Sequence, residues 1–291
     1  MSEIHDKVRA MGLAFTPDQI AASLALFTPL LPPYDEASVV RDIQYGADAR
    51  HRLDLFGTKD NGGVGRPVVV FIHGGGFVMG DKGNAGQPFY SNVGAWAARQ
   101  GWIGCTATYR LAPDNPWPAG VEDMSAIVAW LRANVADHGG DPNKIVLMGQ
   151  SAGAAHVGAY VGSALSAETA AASLAGAVMM SGVYDLVNAT HSTYETAYYG
   201  SDSSRFAEQS SIEGLARTTV PCLYTLAEND PEPFQRQAAL VIGRRVAEQG
   251  KWPDFARLEA QNHITPVHQI GGSADEVGPI LASFIAKVTA G

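Results

Sequence analysis

Basic residues, sulfur and long apolar runs are all scarce in these 291 residues. Lys and Arg number 20 against 29 Asp and Glu, a formal net charge of −9. No Lys/Arg cluster exists to meet a phosphate backbone or an anionic bilayer, which argues against nucleic-acid and membrane-surface partners. Two cysteines, Cys105 and Cys222, cannot make a disulfide framework, and no Cys/His cluster falls at zinc spacing. Both lie inside apolar, strand-like runs, where a thiol is a small core residue. The longest greasy stretch, from Ile20 to Leu31, is interrupted by Ser23, Thr28 and Pro29 and is too short to span a bilayer. The opening Met-Ser-Glu-Ile-His-Asp-Lys places charges where a secretory peptide needs an apolar core, so a cytoplasmic location is expected. Internal repeats and low-complexity tracts are absent. With 46% hydrophobic and 17% charged residues, the disordered, collagen-like and coiled-coil classes are excluded too.

What is present is a strand and helix rhythm. Thr16-Pro17-Asp18 predicts a helix start, with Thr as N-cap and Pro in the first turn, and Ile20, Leu24 and Phe27 recur on one face until Pro32-Pro33. Residues 68–72, Val-Val-Val-Phe-Ile, form a short β-branched run ending in glycines, which reads as a buried strand. Similar runs occupy 102–108, 145–148, 175–180, 220–226 and 255–258, with helical stretches such as 121–134 and 233–249 between them. Strands alternating with helices predict an α/β fold: a mostly parallel sheet with helices on both faces. Residues 39–44 and 52–56, around Gly46, read as an antiparallel hairpin at the sheet's edge. A single domain over residues 1–291 is expected, since α/β folds reach this size undivided. Residues 187–219 break the rhythm, being polar and rich in Ser, Thr and Tyr. Together with about residues 1–38 they are expected to roof a cleft above the sheet as a small cap.

Gly149-Gln150-Ser151-Ala152-Gly153 follows the predicted strand 145–148 and opens a run of small residues. A serine on a sharp strand-to-helix turn needs small neighbours, and the turn lifts Oγ clear of the sheet. It also puts the Ala152 N–H at a helix N-terminus, which favours negative charge. His73-Gly74-Gly75-Gly76-Phe77 comes straight after the strand 68–72, and its glycines bare backbone N–H groups to a ligand. Acyl transfer passes through a tetrahedral oxyanion that needs such donors, and Gly75, Gly76 and Ala152 would supply them. A phosphate loop would need Gly-Lys-Ser/Thr, which is missing, and Met79 stands where a dinucleotide fingerprint needs its last glycine.

A nucleophilic serine needs a base, and the base an orienting carboxylate. Among eight histidines, His263 should sit at the C-terminal edge of the strand near 255–260. His268 reads as structural, and His156, on the elbow helix, should point away from Ser151. For the acid, Asp230 follows the strand 220–226, with Glu228 and Asp185 as competitors. Pro231 restricts the Asp230 backbone and favours it. Ser151, Asp230 and His263 then run in the chain order of α/β-hydrolases, each after its own strand. Arg110 should pair with Asp123 or Glu122. Tyr194, Tyr198 and Tyr199 either line a pocket under the cap or pack the cap on the core.

His73 to Gly76, the run Tyr109-Arg110-Leu111-Ala112-Pro113 and Gly149 to Gly153 together resemble the hormone-sensitive-lipase-like family of α/β-hydrolase esterases. Asp230-Pro231 and His263 match that family's acid and base blocks. The resemblance runs from about residue 40 to the C-terminus. It implies an eight-stranded core, a cap built from the N-terminus and the insertion after strand six, and carboxylesterase activity on small acyl chains. Three positions depart from the pattern: Thr108 replaces a common Asp, the acid block reads Asp-Pro-Glu-Pro, and Ile264 replaces a common Gly. The reading is a serine carboxylesterase that needs no cofactor and no metal and takes a small ester, with a homodimer left open. An amidase or arylformamidase using the same groups is the enzymatic rival. A small-molecule receptor on this scaffold is the other, although receptors typically lose a triad member.

Overall fold

Alternating apolar strands and helices assemble, in a computed structural model describing residues 2–13, 16–58 and 63–290, into one eight-stranded sheet. Positions 1, 14 and 15 of the expected N-terminal cap segment, and 59–62 and 291, lie outside the described residues. The strands are β1 (Val39–Gln44), β2 (Arg52–Phe56), β3 (Arg66–Ile72), β4 (Ile103–Ala107), β5 (Gly140–Gln150), β6 (Gly176–Met180), β7 (Cys222–Asn229) and β8 (Asp254–Asn262). Their spatial order is β1-β2-β4-β3-β5-β6-β7-β8. β2 runs antiparallel to both its neighbours, β1 and β4, and every other pairing is parallel. The edge hairpin and the parallel core are therefore as the sequence led one to expect.

β3 and β5 read as continuous apolar runs because helices cover both faces of the sheet. Val68, Val70 and Ile72 pack with Ile145 and Leu147 beneath the helices Ala119–Asn134 and Ala152–Gly162. Their alternates Val69, Phe71, Val146 and Met148 face Trp96 and Leu281 on the helices Ser91–Arg99 and Gly278–Thr289. Cys105 and Cys222 are buried in the first of these layers, and desolvation pushes the Cys222 thiol up to about 12, so neither is a reactive thiolate. Among the described residues no helix is long and apolar enough to cross a membrane.

Several boundaries differ from the sequence expectations. The helix Pro17–Phe27 opens with a capping box between Thr16 and Gln19, yet it ends at Phe27 and tightens into a 3₁₀ turn, Thr28–Leu30. Pro29 supplies no N–H to continue the ladder, so the stop comes before Pro32-Pro33. β8 extends to Asn262, which leaves His263 as the first residue past its end. The polar segment 187–219 holds three short helices, Thr193–Tyr199, Phe206–Gln209 and Ile212–Arg217. The first of them buries Tyr198 and Tyr199 against Phe77.

A buried ion cluster ties a long loop to the sheet's edge. Asp54 on β2 is fully buried, and its carboxylate accepts from Arg41 Nη1 at 2.7 Å and Lys82 Nζ at 2.9 Å. Lys82 also meets Asp42 at 2.8 Å, so the loop after β3 is held at its midpoint. Removing Asp54 takes away the one buried carboxylate that Arg41 and Lys82 share and leaves them only the more exposed Glu36 and Asp42. Asp54→Ala is accordingly expected to cost about 3–5 kcal/mol. The urea midpoint should fall with the slope unchanged. A loss within 0.5 kcal/mol, the range of ordinary surface substitutions, would refute the network's structural role.

Candidate active site

At the C-terminal end of β5 the chain reverses into the helix Ala152–Gly162 through Ser151, whose backbone sits at φ +56°, ψ −120°. This is a disfavoured conformation for a residue with a side chain, and the surroundings must enforce it. They do so by close approach. A Cβ on Gly153 would run into the carbonyl oxygens of Ile72 and His73, and one on Gly149 into the backbone of Gly153. All eleven residues of the helix are buried, which holds the turn in place.

Ser151 Oγ lies 2.8 Å from His263 Nε2, and His263 Nδ1 lies 2.6 Å from Asp230 Oδ1. Asp230 is 2% exposed and His263 4%. The second carboxylate oxygen accepts the Ser181 hydroxyl at 2.6 Å and the Ala227 N–H at 2.7 Å. With Oδ2 thus occupied, Oδ1 is left for Nδ1–H, and that tautomer makes Nε2 the acceptor facing the serine. The structure brings together the three residues expected from sequence, each at the end of a different strand.

The competitors lie elsewhere. Glu228 turns to the Ala260 N–H at 2.6 Å and to Arg257 at 3.3 Å, and the backbone bond holds its carboxyl below the usual range. Asp185 closes the turn that starts the insertion, accepting from the N–H groups of Val187 and Asn188. His268 Nδ1 meets Ser23 Oγ at 2.8 Å, which fastens the helix Pro17–Phe27 beside the site. His156 is walled in by Phe77, Tyr109 and Tyr198. His73 bonds the neighbouring Gly74 carbonyl at 2.6 Å. Burial pushes His73 down to about 4, and His156 and His268 to about 3.

The loop after β3 turns at Gly75 (φ +123°) and Gly76 (φ +59°), where a Cβ on Gly75 would strike the Met79 carbonyl. Val78 and Met79 donate back to the Gly75 carbonyl at 3.2 and 3.1 Å. Among the described residues, the N–H groups of Gly75, Gly76 and Ala152 donate to no protein acceptor. The run at 109–113 supports this loop: Tyr109 Oη donates to the His73 carbonyl at 2.9 Å and the Ala112 N–H to the Phe77 carbonyl at 3.0 Å. Arg110 pairs with both Asp123 and Glu122. Thr108, one of the departures, bonds the carbonyls of Arg50 and Arg52.

Two cavities open at Ser151. One of about 310 Å³ is lined by Ile20, Met79, Tyr90, His263, Ile264 and Val267. The other, about 170 Å³, is lined by Phe77, Ala152, Val183, Asn188, Thr190 and Phe234. Gly76, Ser151 and Tyr194 belong to both. Tyr194 thus lines the site, while Tyr198 and Tyr199 pack. Sequence reasoning missed Gln150, whose Nε2 donates to the His263 carbonyl at 2.7 Å, Phe234, whose ring lies 4.1 Å from that of His263, and Ser181. Ser181 directly follows β6 on the same sheet edge, and that position was the available signal.

The sequence matches the BD-FAE family model over residues 53–234, a span that holds Ser151 and Asp230 and stops short of His263. Esterase LipC of Mycobacterium tuberculosis is 38% identical over 122 residues, 42% of this chain and 29% of the relative. Esterase LipQ of the same organism is 35% identical over 164 residues, 53% and 37% of the two chains. Isoprenylcysteine alpha-carbonyl methylesterase ICME of Arabidopsis thaliana is 40% identical over 121 residues, 42% and 27%. The matches span about a third of these curated relatives' own length. Among solved structures, a hyperthermophilic esterase from the archaeon Pyrobaculum calidifontis superposes over 100% of this chain and 98% of its own, with TM-score 0.74 and 19% identity. That likeness concerns the fold: an α/β-hydrolase.

Two measurements follow from this geometry. A fluorophosphonate probe should add one label, on the peptide with Ser151, and Ser151→Ala should abolish it. Asp230→Asn and His263→Ala should slow labelling on the order of 10³-fold, with Glu228→Gln and His268→Ala close to wild type. Equal mild losses at His263 and His268 would refute the assignment. Separately, His73, His156 and His268 have folded values below the ordinary 6.5. As pH falls from about 6.5 to 4, the unfolded chain binds protons there that the folded chain does not. The melting temperature should drop across that window, and His268→Gln should flatten the drop.

Proposed function

The chain belongs to the BD-FAE family, and from that premise we propose that it is a serine carboxylesterase working through an acyl-enzyme intermediate. The esterase relatives also agree with the hormone-sensitive-lipase-like resemblance of its motifs. The observation that carries the proposal is the unbroken chain of hydrogen bonds Ser151–His263–Asp230 beside three unengaged backbone donors.

His263 Nε2 takes the Ser151 proton as Oγ bonds to the acyl carbon, and the carbonyl electrons move onto oxygen. Gly75, Gly76 and Ala152 N–H groups stabilise that oxyanion. The carbonyl re-forms, the alcohol's C–O bond breaks, and the Nε2 proton leaves on the alkoxide. Water then repeats the sequence: His263 removes its proton, the acyl–Oγ bond breaks, and Ser151 regains a hydrogen as the acid departs. Asp230 holds the imidazole in one tautomer and stabilises its charged form throughout. The helix Pro17–Phe27 and the segment 187–219 form the cap, since Pro17 and Ile20 line the larger cavity and Asn188 and Thr190 the smaller.

A roofed cleft of this volume fits small soluble esters. Turnover of p-nitrophenyl esters should be highest for short chains and fall beyond about six to eight carbons, because a roofed cleft limits acyl length. Matched anilides and N-formylkynurenine, run beside the esters, test the C–N alternative. Faster cleavage of either amide would replace the esterase reading. A jump in rate above the substrate's solubility limit would contradict the small-ester one.

A further inference from the structure

One side chain stands between the two cavities that meet at Ser151. The Tyr194 ring lies against Gly76: its Cγ and Cδ1 are both 2.9 Å from where a Gly76 Cβ would stand. Its position is fixed from both sides along the chain. Before it, Ser192 and Glu195 form a capping box that sets the start of the helix Thr193–Tyr199. After it, Tyr198 stacks on Phe77 with centroids 4.8 Å apart and Tyr199 meets the same ring edge-on at 5.4 Å. The helix cannot roll without breaking these contacts, so Tyr194 stays over Gly76 although it is 38% exposed.

The chemistry of the two cavities differs because only the larger is lined by His263. The proton that releases the alcohol travels from His263 Nε2, so the departing oxygen and what it carries belong on the His263 side. The acyl chain then points into the smaller cavity, past Ala152 toward Phe77, Val183 and Phe234. Its volume of about 170 Å³ is roughly that of five or six water-sized atoms at about 30 Å³ each.

We propose that Tyr194 is the specificity-determining partition of this site: its ring closes the acyl cavity over Gly76 and thereby sets acyl-chain length, leaving the wider cavity to the alcohol. The proposal rests on the esterase reading above. Without the ring, the two cavities join across Gly76, and a longer chain gains room that the wild type denies it.

The test is the ratio of kcat/KM for p-nitrophenyl octanoate to that for butyrate, both below their solubility limits. It is measured in wild type, Tyr194→Ala, Tyr194→Leu and Tyr194→Phe. Tyr194→Ala should raise the ratio about tenfold, what burying roughly two more methylenes provides. Tyr194→Leu, which keeps the apolar packing should the alanine variant fail to fold, should raise it less, and Tyr194→Phe should restore the wild-type ratio. An unchanged ratio in folded Tyr194→Ala or Tyr194→Leu overturns the partition. A response confined to a series of acetate esters with longer alcohols overturns the cavity assignment, and with it the proposal. Absence of turnover on any ester by the wild type would instead overturn the esterase reading, a distinct result.

Discussion

The helix Ala152–Gly162 reaches the end of β3 only because Gly153 lacks a side chain where the carbonyls of Ile72 and His73 pass. Everything at the site depends on that approach. It forces the reversal at Ser151 into a positive φ and sets Oγ above the sheet. It also brings Gln150 and Ser151 against Gly74, so the serine and the glycine turn are built as one contact. The strain at Ser151 costs on the order of 1–3 kcal/mol, which the full burial of the helix below it can absorb.

Around this elbow the polar groups are shared between strands. Asp230 follows β7, yet its carboxylate is held by Ser181 at the end of β6 and points at His263 beyond β8. Gln150, the last residue of β5, holds the His263 loop by its carbonyl. No group of the chain Ser151–His263–Asp230 takes its geometry from its own loop alone. The other buried histidines near the site, at 73, 156 and 268, are kept neutral by desolvation and add no competing charge.

The strands and the three central residues were legible because their signals are local. A β-branched run such as 68–72 announces a buried strand, and a serine flanked by glycines after a strand announces a turn that tolerates nothing larger. The order Ser151, Asp230, His263 then selected the partners. Glu228 stayed a competitor at the sequence level because reach alone cannot exclude it. What excludes it is the Ala260 N–H, a group 32 positions away whose direction comes from the irregular pairing of β7 with β8. Gln150 and Phe234 were invisible for a similar reason, and Ser181 showed only its place after a strand. Each acts on a residue supplied by another strand, and composition carries no trace of that pairing. The early end of the helix at Phe27 was a local signal misjudged: Pro29 outweighed the more conspicuous pair at 32 and 33.

The bond between Ser23 and His268 also orders events in time. Its two ends are 245 residues apart, and a ribosome adding about 5–20 residues per second needs roughly 10–50 s to make that interval. For nearly all of it the helix Pro17–Phe27 lacks the partner that seats it, and His263 does not yet exist. The nascent chain therefore carries its serine elbow well before it carries His263, and the hydrogen-bonded array of Ser151, His263 and Asp230 closes only once β8 has been made.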